Sequence, residues 1–523
     1  MKRVWLLFLI LILLIASFFR LWKLKEIPPG LYPDVAINAN EAFFSLKNKD
    51  FQVFYPENYG REGLFIWLLS LSFSILKPSL FSIRIVSALI GILTVLGIFL
   101  LTRELFNFEK KKAQILALFS AFFLAISFWH LNFSRIGFRA ILLPFVLIFS
   151  FYFLFKSFQR RSVLSSILAG IFFGLGFYTY TPFRMAVLIL PFLFLPFWFL
   201  AKKEGAERKF FLLMVIFFFV VFVIVLPIGI YFLKNPQNFI SRTAPITIFK
   251  AENPPKEFFK SLILHLGMFN FYGDSNWRHN FSKRPQLIFP IGILFLIGFF
   301  FSLRECILSS KKKGWKFVIS YWLLFSWFFV MLLPGILTRE GIPHCLRVIG
   351  VLPSVFIFVA IGTEKSYLFL KKKLKREGLT NFVFLFFFLI CLLLEFQKYF
   401  LLWAEKPEVK SEFTQEFVKM GNYLNSLPED FEKYVIVNRG GVPISWAKNI
   451  PMPAQTIMFL EISKYGEIKS NYLLPKDLEK IKIEKRGIIL PLVPDENLFE
   501  KLKRKFPQGE IKKRGEFFVY EIR

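Results

Sequence analysis

Cysteine is scarce in this chain: Cys306, Cys345 and Cys391 are the only three in 523 residues. A disulfide framework needs paired cysteines at recurring spacings, and a cysteine zinc site needs them close together. Neither pattern is present. Histidine numbers four, and acidic residues are outnumbered, 36 against 67 Lys and Arg, which leaves a net charge of +31. In a soluble protein that excess would point to nucleic acid. Here it lies in short loops between apolar runs, so it reads as membrane topology, and nucleic acid is not expected as a partner. No internal repeat and no low-complexity linker is visible.

Apolar residues are abundant instead. The chain is 55% hydrophobic and 19% aromatic, with 74 Phe, and its mean hydropathy is +0.53. A soluble domain cannot bury that much apolar surface. Eleven runs approach the ~20 residues that cross a bilayer: 4–19, 82–102, 113–130, 138–155, 163–180, 185–201, 210–233, 286–303, 317–334, 345–363 and 380–402. The first follows Lys2 and Arg3 but is succeeded by Arg20-Leu21-Trp22-Lys23 rather than a small-residue cleavage site, so it is expected to be retained. The run Leu64 to Leu76 has 13 residues. At 1.5 Å per residue it reaches about 20 Å, short of the ~30 Å hydrocarbon core, and reads as a juxtamembrane helix.

With the N-terminus cytoplasmic, the inner segments 1–3, 103–112, 156–162, 202–209, 304–316 and 364–376 hold 24 Lys and Arg. The short outer loops hold three: Arg135, Arg184 and Arg339. That bias fixes the expected orientation in a cell (inner) membrane. The expected division is 1–403, a transmembrane domain with long outer loops 20–63 and 234–285, and 404–523, a small extracytoplasmic α/β domain. In the latter, Glu412 to Leu427 reads as helix. The runs Tyr434–Val437, Thr456–Leu460, Gly487–Leu492 and Phe517–Tyr520 read as strands.

The polar chemistry collects in the outer loops. Pro28-Pro29-Gly30-Leu31-Tyr32-Pro33-Asp34 is a rigid approach to a helix expected over Val35 to Lys47. Asp34 could cap that helix or take a proton from an attacking hydroxyl. Glu41 follows it. Asn58-Tyr59-Gly60-Arg61-Glu62-Gly63 adds a second carboxylate and a cation, which could pair with each other. Arg135 and Arg139, four apart, could share a helix face, and a charge opening a span is costly unless it serves a ligand. Tyr178 and Arg184 lie in Tyr178-Thr179-Tyr180-Thr181-Pro182-Phe183-Arg184. Arg278 and His279 lie in Gly273-Asp274-Ser275-Asn276-Trp277-Arg278-His279-Asn280, and His344 and Arg347 in Arg339-Glu340-Gly341-Ile342-Pro343-His344-Cys345-Leu346-Arg347. Arg suits bidentate binding of phosphate, here one carried by a lipid. No spacing typical of a tight metal site appears. A divalent ion is left open, and no cofactor is required.

The motifs PPGLYPD, NYGREGLFIWLLSLSF, FWHLNFSRIGFRAILLP, GLGFYTYTPFR, GDSNWRHN and LPGILTREGIPHCLR occur in that order. Together they resemble the bacterial and archaeal protein O-mannosyltransferase family, membrane glycosyltransferases of the GT-C superfamily related to the lipid A aminoarabinose transferase. The resemblance implies a polyprenyl-phosphate sugar donor, an outward-facing site and a catalytic first-loop aspartate, which falls on Asp34. Relatives often follow that aspartate with a second acid. Val35 stands there, so Glu41 or Glu62 would have to supply it. The expected reaction is one-step transfer of the sugar, with inversion, to a protein, lipid or glycan hydroxyl. Two other readings are a flippase for a lipid-linked sugar and a transferase of the same fold that modifies lipid A or a polysaccharide. A flippase needs a polar path through the spans, whereas here the polar groups gather at one side.

Overall fold

A computed structural model describes residues 2–312, 315–484 and 486–523. Among the described residues, nine helices are long and apolar enough to cross a membrane, from Arg3–Leu21 to Glu377–Trp403. Two of the eleven expected crossings take another form. The run 113–130 is a bent pair, Lys110–Ile126 and Phe128–Ile136, turned by 57° at Ser127. The run 163–180 is helical only over Val163–Gly176. At 14 residues that helix spans about 21 Å, so length alone does not make it a crossing. Leu64–Leu76 forms the short helix expected of it.

Contacts group the chain into two compact units. One comprises Met1–Leu24 and Ser87–Trp403, the other Lys25–Val86 and Ala404–Arg523. The first outer loop and the helix Leu64–Leu76 therefore belong with the tail, a grouping that a linear division at 403 does not describe.

The larger unit is the apolar helix bundle. Helices Phe289–Lys312 and Leu352–Leu374 cross closely through glycine. A Cβ at Gly298 would lie 1.7 Å from the Phe358 carbonyl oxygen, and one at Gly362 would lie 1.9 Å from that of Leu294. Small residues at a helix crossing let backbones approach where lipid gives no hydrophobic drive to association. The helix Glu207–Lys234 keeps an apolar exposed face, including Phe219 and Leu233, as a lipid-facing helix should.

The smaller unit is a five-stranded sheet with helices on it. Its order is Asn471–Leu473, Glu432–Ile436, Gly487–Pro491, Phe517–Ile522, Glu510–Arg514. The first three strands are parallel and the last two antiparallel. Strand alternation sends Tyr434 and Ile436 into one core and Val435 and Val437 into the other. Three of the expected strands are present. The fourth, Thr456–Leu460, is instead part of the helix Gln455–Tyr465, buried on nearly every side. A short apolar run cannot distinguish the two forms by periodicity.

The loop helix Pro33–Asn48 packs on Leu64–Leu76 and on Gln455–Tyr465. Its Ile37 joins the sheet's core, and Asn40 Nδ2 donates to Gln455 Oε1 at 2.8 Å. The proline-rich approach is tied down from both sides. Arg84 donates to the Pro28 and Gly30 carbonyls at 2.7 Å each, and the hydroxyls of Thr414 and Thr456 both donate to the Leu31 carbonyl at 2.8 Å. Gly30 has φ +79°, and a Cβ there would meet the Phe413 carbonyl oxygen at 2.3 Å, so no other residue fits.

Candidate functional site

In the bundle unit, two loops bring distant residues together. In the loop 268–288, Asp274 Oδ1 accepts from the Asn276 backbone N–H at 2.8 Å, and Asn276 Oδ1 accepts from that of Arg278 at 2.9 Å. These turns curl the segment so that Asp274 and His279 both point inward and are buried. The loop 337–348 supplies the other side. Cys345 N–H donates to Asp274 Oδ2 at 2.9 Å, and His344 N–H donates to His265 Nε2 at 3.2 Å. His265 in turn donates from Nδ1 to the Ser261 carbonyl at 2.8 Å, which fixes its tautomer.

The result is an Asp–His–His cluster in which Asp274 and His279 are buried and His344 is half-buried. His279 Nδ1 lies 3.2 Å from Asp274 Oδ2 and His344 Nδ1 lies 3.8 Å from it. The imidazole centroids are 4.9 Å apart. All three ligand atoms fall within 4.8 Å of one another. Burial pushes the Asp274 carboxyl up, but the hydrogen bond and charge of His279, the charge of His344 and the Asn276 N–H outweigh it and hold it well below the usual carboxylate range. Burial, then the charges of Arg347 and His279, push His344 well below the usual imidazole value. Its Nδ1 is buried with no hydrogen-bond partner.

Arg347 flanks this cluster, donating to Thr338 Oγ1 at 2.9 Å and to the Glu340 carbonyl at 2.6 Å. Arg139 lies over the Tyr180 ring, 5.3 Å from its centroid. It does not share a helix face with Arg135, because the helix Phe128–Ile136 ends at Gly137, with φ +87°, and Arg139 opens a 3-10 turn. Arg135 is fully buried and donates to the Phe19 and Trp22 carbonyls at 2.7 Å each, which ties off the first span. Tyr178 donates its hydroxyl to the Ile224 carbonyl at 2.7 Å. Arg184 covers the Phe239 ring at 4.1 Å and donates to that residue's carbonyl. Arg278 joins the loop's own turn through Asn276 Oδ1. Each of these four thus has a structural role in its own unit.

In the smaller unit, Tyr32 rather than Asp34 occupies the helix N-cap, and its side chain makes no capping bond. Asp34 sits in the first turn, half-buried, and its Oδ1 accepts from Asn58 Nδ2 at 2.7 Å. Arg61 does not pair with Glu62. It donates to Glu41 Oε1 at 2.7 Å, to Asn38 Oδ1 at 3.0 Å and to the Glu57 carbonyl at 3.3 Å. Burial raises the Glu41 carboxyl above its ordinary value, opposed by the charge and hydrogen bond of Arg61. Glu62 is buried in the short strand Arg61–Glu62, opposite Phe54.

Sequence reading left Asp274, His265 and Cys345 out of the candidate set. Asp274 stands five positions before His279 in one motif, which was the available signal. Its meeting with His344 depends on two loops far apart in sequence, and no local spacing encodes that.

Residues 64–229 match the family model of the dolichyl-phosphate-mannose-protein mannosyltransferases. No curated protein matches the chain by sequence. By fold, it is similar to ArnT from Cupriavidus metallidurans bound to undecaprenyl phosphate, with a TM-score of 0.61 at 12% identity, over 100% of this chain and 98% of that one. It is also similar to the archaeal oligosaccharyltransferase AglB from Archaeoglobus fulgidus, in complex with an inhibitory peptide and a dolichol-phosphate. There the TM-score is 0.50 at 16% identity, over 94% of this chain and 69% of that one. The chain is therefore a multi-pass membrane protein that shares its fold with ArnT and AglB and is similar in sequence, over residues 64–229, to the dolichyl-phosphate-mannose-protein mannosyltransferases.

Proposed function

We propose that this protein transfers a sugar from a polyprenyl-phosphate donor to an acceptor hydroxyl on the extracytoplasmic side of the membrane, with inversion. The observation that carries the reading is a match in fold, along the whole chain, to ArnT bound to undecaprenyl phosphate, joined by the match of residues 64–229 to the dolichyl-phosphate-mannose-protein mannosyltransferase model. In this reading the Lys- and Arg-rich loops face the cytoplasm, where nucleotide-activated sugars would be found, so the outer reaction draws on an activated lipid. The acceptor oxygen attacks the anomeric carbon as the bond from that carbon to the phosphate oxygen breaks. The acceptor's proton passes to a carboxylate and the lipid phosphate leaves as an anion.

Asp34 is assigned the proton, on the family resemblance and on its half-buried carboxylate, whose Oδ2 is left over once Oδ1 is engaged by Asn58. Arg139 and Arg347 are assigned the leaving phosphate, because each stands at the entrance to a span beside aromatic or hydroxyl groups. The donor set of Asp274, His279 and His344, one oxygen and two nitrogens, suits a divalent ion such as zinc, and the unpartnered His344 Nδ1 is the atom such an ion would satisfy. When bound, the ion would add positive charge beside Arg347. Incubating purified protein with a panel of radiolabelled polyprenyl-phosphate sugars tests the reading. One donor should be consumed with release of polyprenyl phosphate, and a panel left wholly intact would contradict it.

A further inference from the structure

The helix break at Ser127 has no Pro or Gly to cause it, yet both of its new helix ends are met by charge. In an unbroken helix the Phe128 N–H would go to the Leu124 carbonyl. Here it goes to Glu395 Oε2 at 3.1 Å, from the span Glu377–Trp403. The carbonyls on the other side of the break go to Arg20, at the end of the first span. Its Nη1 donates to Ala125 at 2.9 Å and its Nη2 to Leu124 at 3.5 Å. Ser127 stands at the N-cap of Phe128–Ile136, but its hydroxyl makes no hydrogen bond among the described residues. A carboxylate at a helix N-terminus and a guanidinium at a helix C-terminus are the signs that the helix dipole favours. A side chain inserted into the backbone ladder is also a recognised cause of a sharp kink.

Both charges are deeply buried, Arg20 at 0% and Glu395 at 1% exposure. Within the apolar run 380–402, Glu395 is the only acid and Lys398 the only cation. A charge buried in a span is costly and is kept where it serves function, and two such charges meet at this one break.

The bend of 57° delivers the half-helix Phe128–Ile136 to the outer loop. From it Asn132 Nδ2 donates to the Arg278 carbonyl at 2.7 Å. The span that carries Glu395 turns π-helical over Gln397–Trp403 and holds the same loop. Lys398 Nζ donates to the Pro285 carbonyl at 3.4 Å, and Trp403 Nε1 to that of Trp277 at 2.9 Å. This is the loop 268–288, which carries Asp274 and His279. The half-helix also ends at Gly137, two residues before Arg139. We infer that Glu395 and Arg20 are positioning residues. They hold the helix broken at Ser127, and the bent half-helix seats the loop 268–288 and Arg139 at the outer site. What that site binds rests on the transferase reading, but the geometry of the clamp does not.

Two measurements on the full-length protein test it. Spin labels on cysteines at Lys111 and Ser275, both exposed, with Cys306 replaced by serine, read the distance across the break. Binding of undecaprenyl phosphate reads the phosphate site. Glu395→Met removes the acceptor and should shift or broaden the label distance and weaken undecaprenyl phosphate binding about tenfold or more. Glu395→Gln keeps an accepting oxygen and should rescue both. Ser127→Ala should change neither. Circular dichroism and melting temperature report whether each variant is folded. A folded Glu395→Met with the wild-type distance and affinity would overturn the inference. So would Glu395→Gln with a distance as altered as in Glu395→Met, or Ser127→Ala that shifts the distance as far, since the cap would then be local. If Glu395→Met does not fold, a shifted distance in Glu395→Gln still overturns it. A wild-type protein with no affinity for undecaprenyl phosphate would contradict the transferase reading instead, and the label distances alone would then decide the clamp.

Discussion

Asp34 Oδ1 accepts a hydrogen bond from Asn58 Nδ2 at 2.7 Å, and the cap of its own helix belongs to Tyr32. That relationship separates two roles which the sequence left open. A capping Asp can be replaced by Asn at almost no cost. A carboxylate oriented by an amide and used as a base cannot. Asp34→Asn is expected to lower turnover about 10²-fold or more while donor binding survives. Retention of at least half the wild-type turnover would remove Asp34 from the mechanism and leave Glu41 and Glu62 to be tested.

Arg61 and Glu41 form a buried ion pair at 2.7 Å. Removing one partner of such a pair costs about 3–5 kcal/mol, whereas replacing both with apolar groups is often neutral. Arg61→Met should therefore lower the melting temperature more than Arg61→Met with Glu41→Met. The deficit should depend on pH. Burial already raises the Glu41 carboxyl above 4.5, and loss of Arg61 raises it further. A carboxyl raised in the folded state contributes stability below its unfolded value and loses it as pH rises through the folded value. The single variant should thus be weakest near neutral pH and recover as pH falls toward 4.5. Melting curves at pH 5 and 7.5 decide it, and an equal deficit at both would contradict the assignment.

The Asp274, His279 and His344 cluster gives a prediction of metal content. Protein purified without chelator and then titrated with zinc is expected to bind about one equivalent, which EDTA removes with a fall in melting temperature. His344→Ala and Asp274→Asn should lose that ion. If the folded variants hold as much zinc as wild type, the cluster is a hydrogen-bonded loop clasp and no metal centre.

Orientation follows from charge. Single cysteines at Lys111 and Lys203, both exposed in the structure, should be shielded from impermeant thiol reagents in intact cells. Cysteines at Ser275 and Lys501, also exposed, should label. Labelling at Lys111 would mean that Leu64–Leu76 crosses the membrane after all.

The parts of the fold that local physics determines were legible in the sequence. Leu64–Leu76 was too short to span, and it is a 13-residue helix. The runs around Val435, Ile489 and Val519 alternate or are wholly apolar between turn residues, and they are strands. The break at Ser127 was not visible, because no Pro or Gly marks it and the apolar run continues through it. The candidate site was legible by residue type more than by arrangement. The outer Arg and His were singled out, but Arg135, Tyr178 and Arg184 spend their polar atoms on backbone carbonyls. Which side chains face a ligand and which tie the backbone depends on tertiary placement, and a loop motif does not carry that.

The most direct measurement follows one donor in sealed proteoliposomes. The lipid-linked sugar carries a radiolabel on the sugar and another on the prenyl chain, and an acceptor extract is present on the side opposite the basic loops. The two labels should separate: the sugar moves to an acceptor fraction, polyprenyl phosphate accumulates, and Asp34→Asn abolishes the separation. Movement of the intact donor across the bilayer with both labels still joined, unaffected by Asp34→Asn, would contradict it and mark the protein as a transporter of the lipid-linked sugar.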